Sequence, residues 1–143
     1  GSDLPFFNLL LHYPEKIDTF RDQEWELIVS DPEIIAIIKV VMEKFPSEGN
    51  LDRIEEFLDS PVAKEQLRVS LMSQPFYSAE SVSQAVSEFE KKIAQVKVSQ
   101  SIRKASAEGD MEMLNRLIRE KQDLDSDNKG VMKSKHNDKF LSN

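Results

Sequence analysis

The stretch Asp31-Pro32-Glu33-Ile34-Ile35-Ala36-Ile37-Ile38-Lys39-Val40-Val41-Met42-Glu43-Lys44-Phe45 decides the fold. Its β-branched run is open to a strand reading, because Ile and Val suit a pleated surface. The first three residues argue for a helix. Asp31 offers an N-cap oxygen, Pro32 fits the first helical position, and Glu33 places an acid at the positive end of the dipole. The run also extends roughly 14 residues before Pro46, which is a helix length. Apolar side chains (Ile34, Ile35, Ile37, Ile38, Val41, Met42 and Phe45) cover most of the circumference, so this is expected to be the buried central helix, ending before Pro46.

Helical spacing continues on both sides. Toward the N-terminus, Pro5 opens a segment with Phe6, Leu9, Leu10 and Tyr13 on one face, and Pro14 closes it. A short element over 15–20 adds Ile17 and Phe20, and a helical turn surrounds Trp25, Leu27 and Ile28. Toward the C-terminus, Asn50 caps a short helix with Leu51, Ile54, Phe57 and Leu58 on one face. Ser60-Pro61 repeats the cap-and-proline start, and its helix is expected to turn Val62, Leu67, Leu71 and Met72 inward and to stop before Pro75. Ser78 caps the longest helix, where Val82, Val86, Phe89, Ile93 and Val96 follow a 4-3-4-3 seam. The stripe then shifts phase to Val98, Ile102 and Ala105, as if the helix leaves one partner for another. Gly109 supplies a left-handed exit, and Asp110 caps a last helix with Met111, Leu114, Leu117, Ile118 and Leu124 on its apolar side.

The fold class read from this pattern is all-α: a compact multi-helix bundle whose long helix extends into a C-terminal helical hairpin. The expected divisions are scar and lead-in over 1–4, the bundle over 5–96, the hairpin over 97–124, and a polar, flexible tail over 125–143. Gly1-Ser2 reads as a cloning scar, which would make the chain a piece of a longer protein.

Composition sets the outer bounds. A chain of 143 residues, 39% hydrophobic and 31% charged, suits one domain or a domain with an appendage. At that size it can bury about 68–70% of its unfolded surface without a staple. With no cysteine, a disulfide framework, a thiolate zinc site, an iron–sulfur cluster and a Cys nucleophile are excluded. The net charge of −7 argues against a general nucleic-acid binder. Residues 1–75 carry 15 acids against 7 bases, whereas 76–143 carry 11 against 12. Lys91, Lys92, Lys97, Arg103 and Lys104 form an acid-free stretch without an aromatic stacking platform, so weak backbone contact with nucleic acid is the most it offers. No apolar run approaches the ~20 residues of a membrane span, and the N-terminus does not read as a signal peptide.

Catalytic patterns are scarce. His12 and His136 lie at opposite ends of the chain, and His12 reads as a partly buried structural residue. Asp123, Asp125 and Asp127 start like a calcium loop but fail in register, with His136 at the bidentate-glutamate position counted from Asp125. No phosphate-cradling glycine loop or nucleophile elbow is present, so the expectation is no enzyme and no cofactor or metal site in this chain. Recognition by helix packing is what remains. The partner-binding candidates are Met111, Leu114, Leu117 and Ile118, with Arg103, Arg116 and Arg119 at the rim.

Two stretches carry a resemblance. Leu9-Leu10-Leu11-His12-Tyr13-Pro14-Glu15 resembles the opening of the C-terminal helicase-binding domain of bacterial DNA primase. Ile102-Arg103-Lys104-Ala105-Ser106-Ala107-Glu108-Gly109-Asp110, with the amphipathic helix after it, resembles that family's closing hairpin. The resemblance spans about residues 5–124 and rests on degenerate apolar patterns. It implies a bundle plus hairpin that binds the N-terminal region of the replicative DNA helicase in the bacterial cytoplasm, coupling RNA primer synthesis to unwinding. It also admits the single-stranded-DNA-binding protein as a partner, and implies no small-molecule substrate and no membrane. Polymerase chemistry, zinc and magnesium would belong to other domains of the parent primase, a DNA-directed RNA polymerase. The N-terminal domain of the helicase itself resembles the same bundle and hairpin, and an unrelated helical adaptor or regulatory domain is a further alternative. The tail after Leu124 is longer and richer in Lys and Asn than that family's pattern.

Overall fold

The structure is a computed structural model that describes residues 1–141, with side chains described through residue 126. Among the described residues it is all-helical: α1 (Asp3–His12), α2 (Ile17–Arg21), α3 (Pro32–Glu48), α4 (Leu51–Ile54), α5 (Pro61–Met72), α6 (Val82–Glu108) and α7 (Met111–Leu141). Short 3-10 turns at Pro14–Lys16, Trp25–Ile28 and Glu55–Phe57 join the early helices. The chain divides into two compact units, Gly1–Ile93 and Ala94–Asn143, and the division falls inside α6.

The first unit is a bundle organised around one aromatic ring. Phe6 is fully buried and meets Phe20 edge-on at 5.0 Å, Phe89 at 5.2 Å and the stacked indole of Trp25 at 6.3 Å between ring centroids. These contacts tie α1, α2, the Trp25 turn and the first part of α6 together, with the geometries that aromatic quadrupoles favour. Phe7, Leu9, Leu10, Ile17, Ile37, Ile38, Val41, Ile54 and Leu67 are among the fully buried side chains of the core.

Helix α3 begins as its sequence dictates: the Asp31 carboxylate accepts the Glu33 N–H at 2.8 Å, with Pro32 at the first helical position. A second acid supports the same end. The Asp3 carboxylate, on the first turn of α1, accepts from the Asp31 N–H at 2.7 Å and from the N–H and hydroxyl of Ser30. Burial opposes ionisation of Asp3, but these donors and the nearby N-terminal ammonium outweigh it and hold the carboxyl below its ordinary value.

The far end of α3 departs from the sequence expectation. The helix does not stop before Pro46; it carries the proline inside and continues to Glu48, where Gly49 turns left-handed at φ 63°. Proline has no N–H, so the Met42 carbonyl four residues earlier loses its helical donor. Arg21 replaces it, donating from Nη1 to the Met42 carbonyl while Asp18 accepts from its Nε and Nη2 at 3.1 and 3.0 Å. A side chain from α2 thus heals the ladder, and α3 gains the extra turn.

Some expected core positions change face. Ile35 and Phe45 are only half-buried, and Phe57 is exposed, with Lys44 Nζ lying 4.7 Å from its ring centroid. On α5, Ser60 caps as expected by accepting from Val62 and Ala63 N–H, but Ala63 and Leu67 point inward. Val62 and Met72, expected inside, are 63% and 86% exposed. Helix α7 runs past Leu124 to Leu141. The expected flexibility of 125–143 falls mostly on side chains outside the described residues.

Two outcomes test these end contacts. Arg21→Ala should cost about 1–3 kcal/mol in urea unfolding, and much less in a Pro46→Ala background, where residue 46 supplies its own donor to Met42. Asp3→Asn should flatten the acid limb of the stability curve. A depressed carboxyl stabilises fully above its unfolded value of about 3.9 and loses that contribution as pH falls through its lower folded value.

Candidate functional site

The second unit is a helical hairpin, and its turn is built by local rules. Gly109 adopts φ 70°, its N–H donates to the Ser106 carbonyl at 3.2 Å, and the Asp110 N–H donates to the Ala105 carbonyl at 3.0 Å. These are the paired bonds of a Schellman exit, which satisfy carbonyls that the helix end leaves open. Asp110 then caps α7, accepting the Met113 N–H at 3.0 Å. The two ends of the chain reversal are therefore specified within six residues of sequence, 105–110.

Across the hairpin, Gln95 Nε2 on α6 donates to Asp125 Oδ1 on α7 at 3.4 Å. At roughly 100° per residue, Asp125 lies on the same side of α7 as Leu114, Leu117 and Leu124. These leucines are half-buried, and on α6 Val98 and Ala105 are buried, in the phase that the shifted stripe requires. Leu114 and Leu117 thus occupy the inward side of α7 and offer a partner only their outer edges.

The remaining candidates separate around the helix. Met111 is 62% and Ile118 40% exposed, and one lies within roughly 20° of the other along α7. Arg119 stands roughly 80–100° from that strip and is exposed, and Asn115 and Gln122 line it. Arg116 faces away, with Nη2 3.3 Å from Met113 Sδ. Arg103 lies on the outer face of α6, well round from Val98 and Ala105. Of the seven sequence candidates, the structure brings Met111 and Ile118 into one exposed strip backed by Leu114 and Leu117, with exposed Arg119 off to one side.

A second exposed apolar face went unread in the sequence. Val62 and Val69 (56% exposed) are seven residues apart on the outer side of α5, and with Pro61, Glu65 and Gln66 they line a shallow groove of about 410 Å³. Met72 extends this face, and Phe76 beyond the helix is 54% exposed. The backbone at Phe76 is held from below. Buried Asn8 accepts the Phe76 N–H at 2.8 Å and donates to the Gln74 carbonyl at 3.0 Å, and the Tyr13 hydroxyl donates to the Tyr77 carbonyl at 2.7 Å. The available signal was Asn8 itself, a polar residue inside Phe6-Phe7-Asn8-Leu9-Leu10. A buried amide has to bond something, and here it bonds a loop.

Titratable chemistry is sparse. Arg68 pairs with Glu55 and, at 3.1 Å, with Glu65; its hydrogen bond holds the Glu55 carboxyl below its ordinary value. Half-buried His12 has an enclosed Nε2 with no hydrogen-bond partner among the described residues. Among the described residues no group of three or more His, Cys, Asp or Glu could hold a metal, and no helix is long and apolar enough to cross a membrane.

No protein-family model, curated protein or solved structure matches the chain.

A Cβ added at Gly109 meets nothing within 4 Å, so Gly109→Ala isolates the cost of the left-handed backbone. It should destabilise the turn by about 1 kcal/mol, read as roughly fivefold faster amide exchange in the hairpin at 105–114.

Proposed function

We propose that this chain is an interaction domain of the bacterial primase type, which binds the N-terminal region of a replicative DNA helicase and couples primer synthesis to unwinding. It acts by docking, without catalysis of its own, and its setting is the replication fork in the bacterial cytoplasm. The observation that carries the reading is the exposed Met111–Ile118 strip beside a Gly109-Asp110 turn, on a hairpin unit that follows a helical bundle. That order of parts agrees with the primase resemblance at both ends of the chain.

The strip suits a helical partner. Methionine adapts to irregular apolar surfaces, and an anchor pair seven residues apart matches two turns of a facing helix. Arg119 beside it adds a charge that steers encounter more than it holds the complex. Leu114 and Leu117 fix the strip by packing inward, so their truncation would disturb the hairpin as well as the surface.

The test is titration of the intact chain against the N-terminal region of a bacterial replicative helicase. Ile118→Ala should weaken binding about tenfold to thirtyfold, and Met111→Ala should act in the same direction. Arg119→Ala should lower the association rate and its salt dependence. Unchanged affinity in the Met111→Ala, Ile118→Ala double variant, with helix content retained by far-UV dichroism, would remove the hairpin strip from the reading.

A further inference from the structure

With no cysteine in the chain, its thioethers are the sulfurs on which a hydroperoxide can act. The structure sets the methionines far apart in access. Met42 is 6% exposed in the core, and Trp25, the chain's one indole, is shielded at 3%. Met113 is 36% exposed, and its Sδ accepts from Arg116 Nη2, which draws on the lone pair that attacks an oxidant. Met72 and Met111 are the open thioethers among the described residues, and of these two Met111 shares the α7 strip with Ile118.

Oxidation changes what that strip can do. The sulfur lone pair attacks one peroxide oxygen, and the O–O bond breaks. That oxygen stays on sulfur as a sulfoxide; the other takes a proton and leaves as water or an alcohol. The thioether is oxidised by two electrons and the peroxide reduced by two. An apolar, adaptable side chain becomes a polar, chiral one. Against an apolar helix the new oxygen is desolvated without a donor to meet it. The change is also local. Met111 is the first residue of α7 and mostly exposed, while the turn is held by Gly109 and by the Asp110 cap on the Met113 N–H.

We propose that Met111 is an oxidation site that regulates the docking strip: a hydroperoxide converts it to the sulfoxide, and the partner is released. The proposal rests on the helicase-docking reading above. The change is reversible in principle, because a dithiol acting through a methionine sulfoxide reductase returns the thioether, with a disulfide and water as the other products.

The experiment treats the intact chain with graded hydrogen peroxide, reads each methionine by peptide mass spectrometry, and titrates the product against the helicase N-terminal region. Met111 and Met72 should oxidise about tenfold faster than Met42. The treated chain should bind about tenfold more weakly with its helix content unchanged, and reductase with dithiol should restore binding. Met72→Leu should keep this peroxide sensitivity. Met111→Leu should abolish it, its treated and untreated affinities agreeing whatever their common value. Three results overturn the proposal: Met111 oxidising no faster than Met42, peroxide sensitivity persisting in Met111→Leu, or full conversion of Met111 leaving affinity unchanged. A chain that binds helicase and ignores Met111 oxidation removes this proposal and leaves the docking reading standing. An untreated chain that binds no helicase removes both.

Discussion

A proline inside the central helix has to be paid for by another element, and here the guanidinium of Arg21 does it. Pro46 deprives the Met42 carbonyl of its donor, and Arg21, steadied by Asp18, supplies one from α2. The consequence reaches further than one hydrogen bond. With the ladder healed, α3 continues to Glu48 and delivers the chain to the left-handed Gly49, so Asn50 can cap α4 by accepting the Asp52 N–H at 2.9 Å. Leu51 and Ile54 then land in the core, and Lys44 comes over the Phe57 ring. Had α3 ended before Pro46, this whole stretch would leave the bundle at a different place.

The other organising device is the polar clamp beneath the loop at 73–77. Asn8 is buried among phenylalanines and leucines, where an unpaired amide is costly. Its bonds to Gln74 and Phe76, and that of Tyr13 to Tyr77, spend that polarity on fixing a loop rather than on the helix that carries it. The loop connects α5 to α6, so α1 sets where the exposed side of α5 ends and where the long helix begins.

The two units express different kinds of order. The bundle depends on contacts between residues far apart in sequence, such as Phe6 with Phe89 and Asp3 with Asp31. The hairpin turn depends on neighbours: a glycine that tolerates φ 70°, a Schellman pair of bonds and an Asp cap. A surface presented by such a hairpin is placed by rules that act within one turn of helix, and its Met111–Ile118 strip can vary with little consequence for the core.

Helix starts were legible in the sequence because capping is local. Asp31, Asn50, Ser60 and Asp110 each accept an N–H two or three residues ahead, as their side chains dictate. The hairpin turn and the shift of the stripe to Val98 and Ala105 were readable for the same reason, since both follow from residue type and helical period, although Val96, read as the last seam position, is only half-buried. The tertiary structure alone decided which of two apolar stripes on α5 faced inward, because Val62 and Ala63 lie about 100° apart round the helix and periodicity ranks neither. Packing settled it in favour of the small Ala63 with Leu67, leaving the valines outside. It alone decided that α3 passes through Pro46, because the donor that permits this comes from Arg21, 25 residues away. The candidate strip was half legible for the same cause. Residue type and spacing put Met111, Leu114, Leu117 and Ile118 on one apolar helix, but only the fold shows that Leu114 and Leu117 are half-buried while Met111 and Ile118 stay exposed.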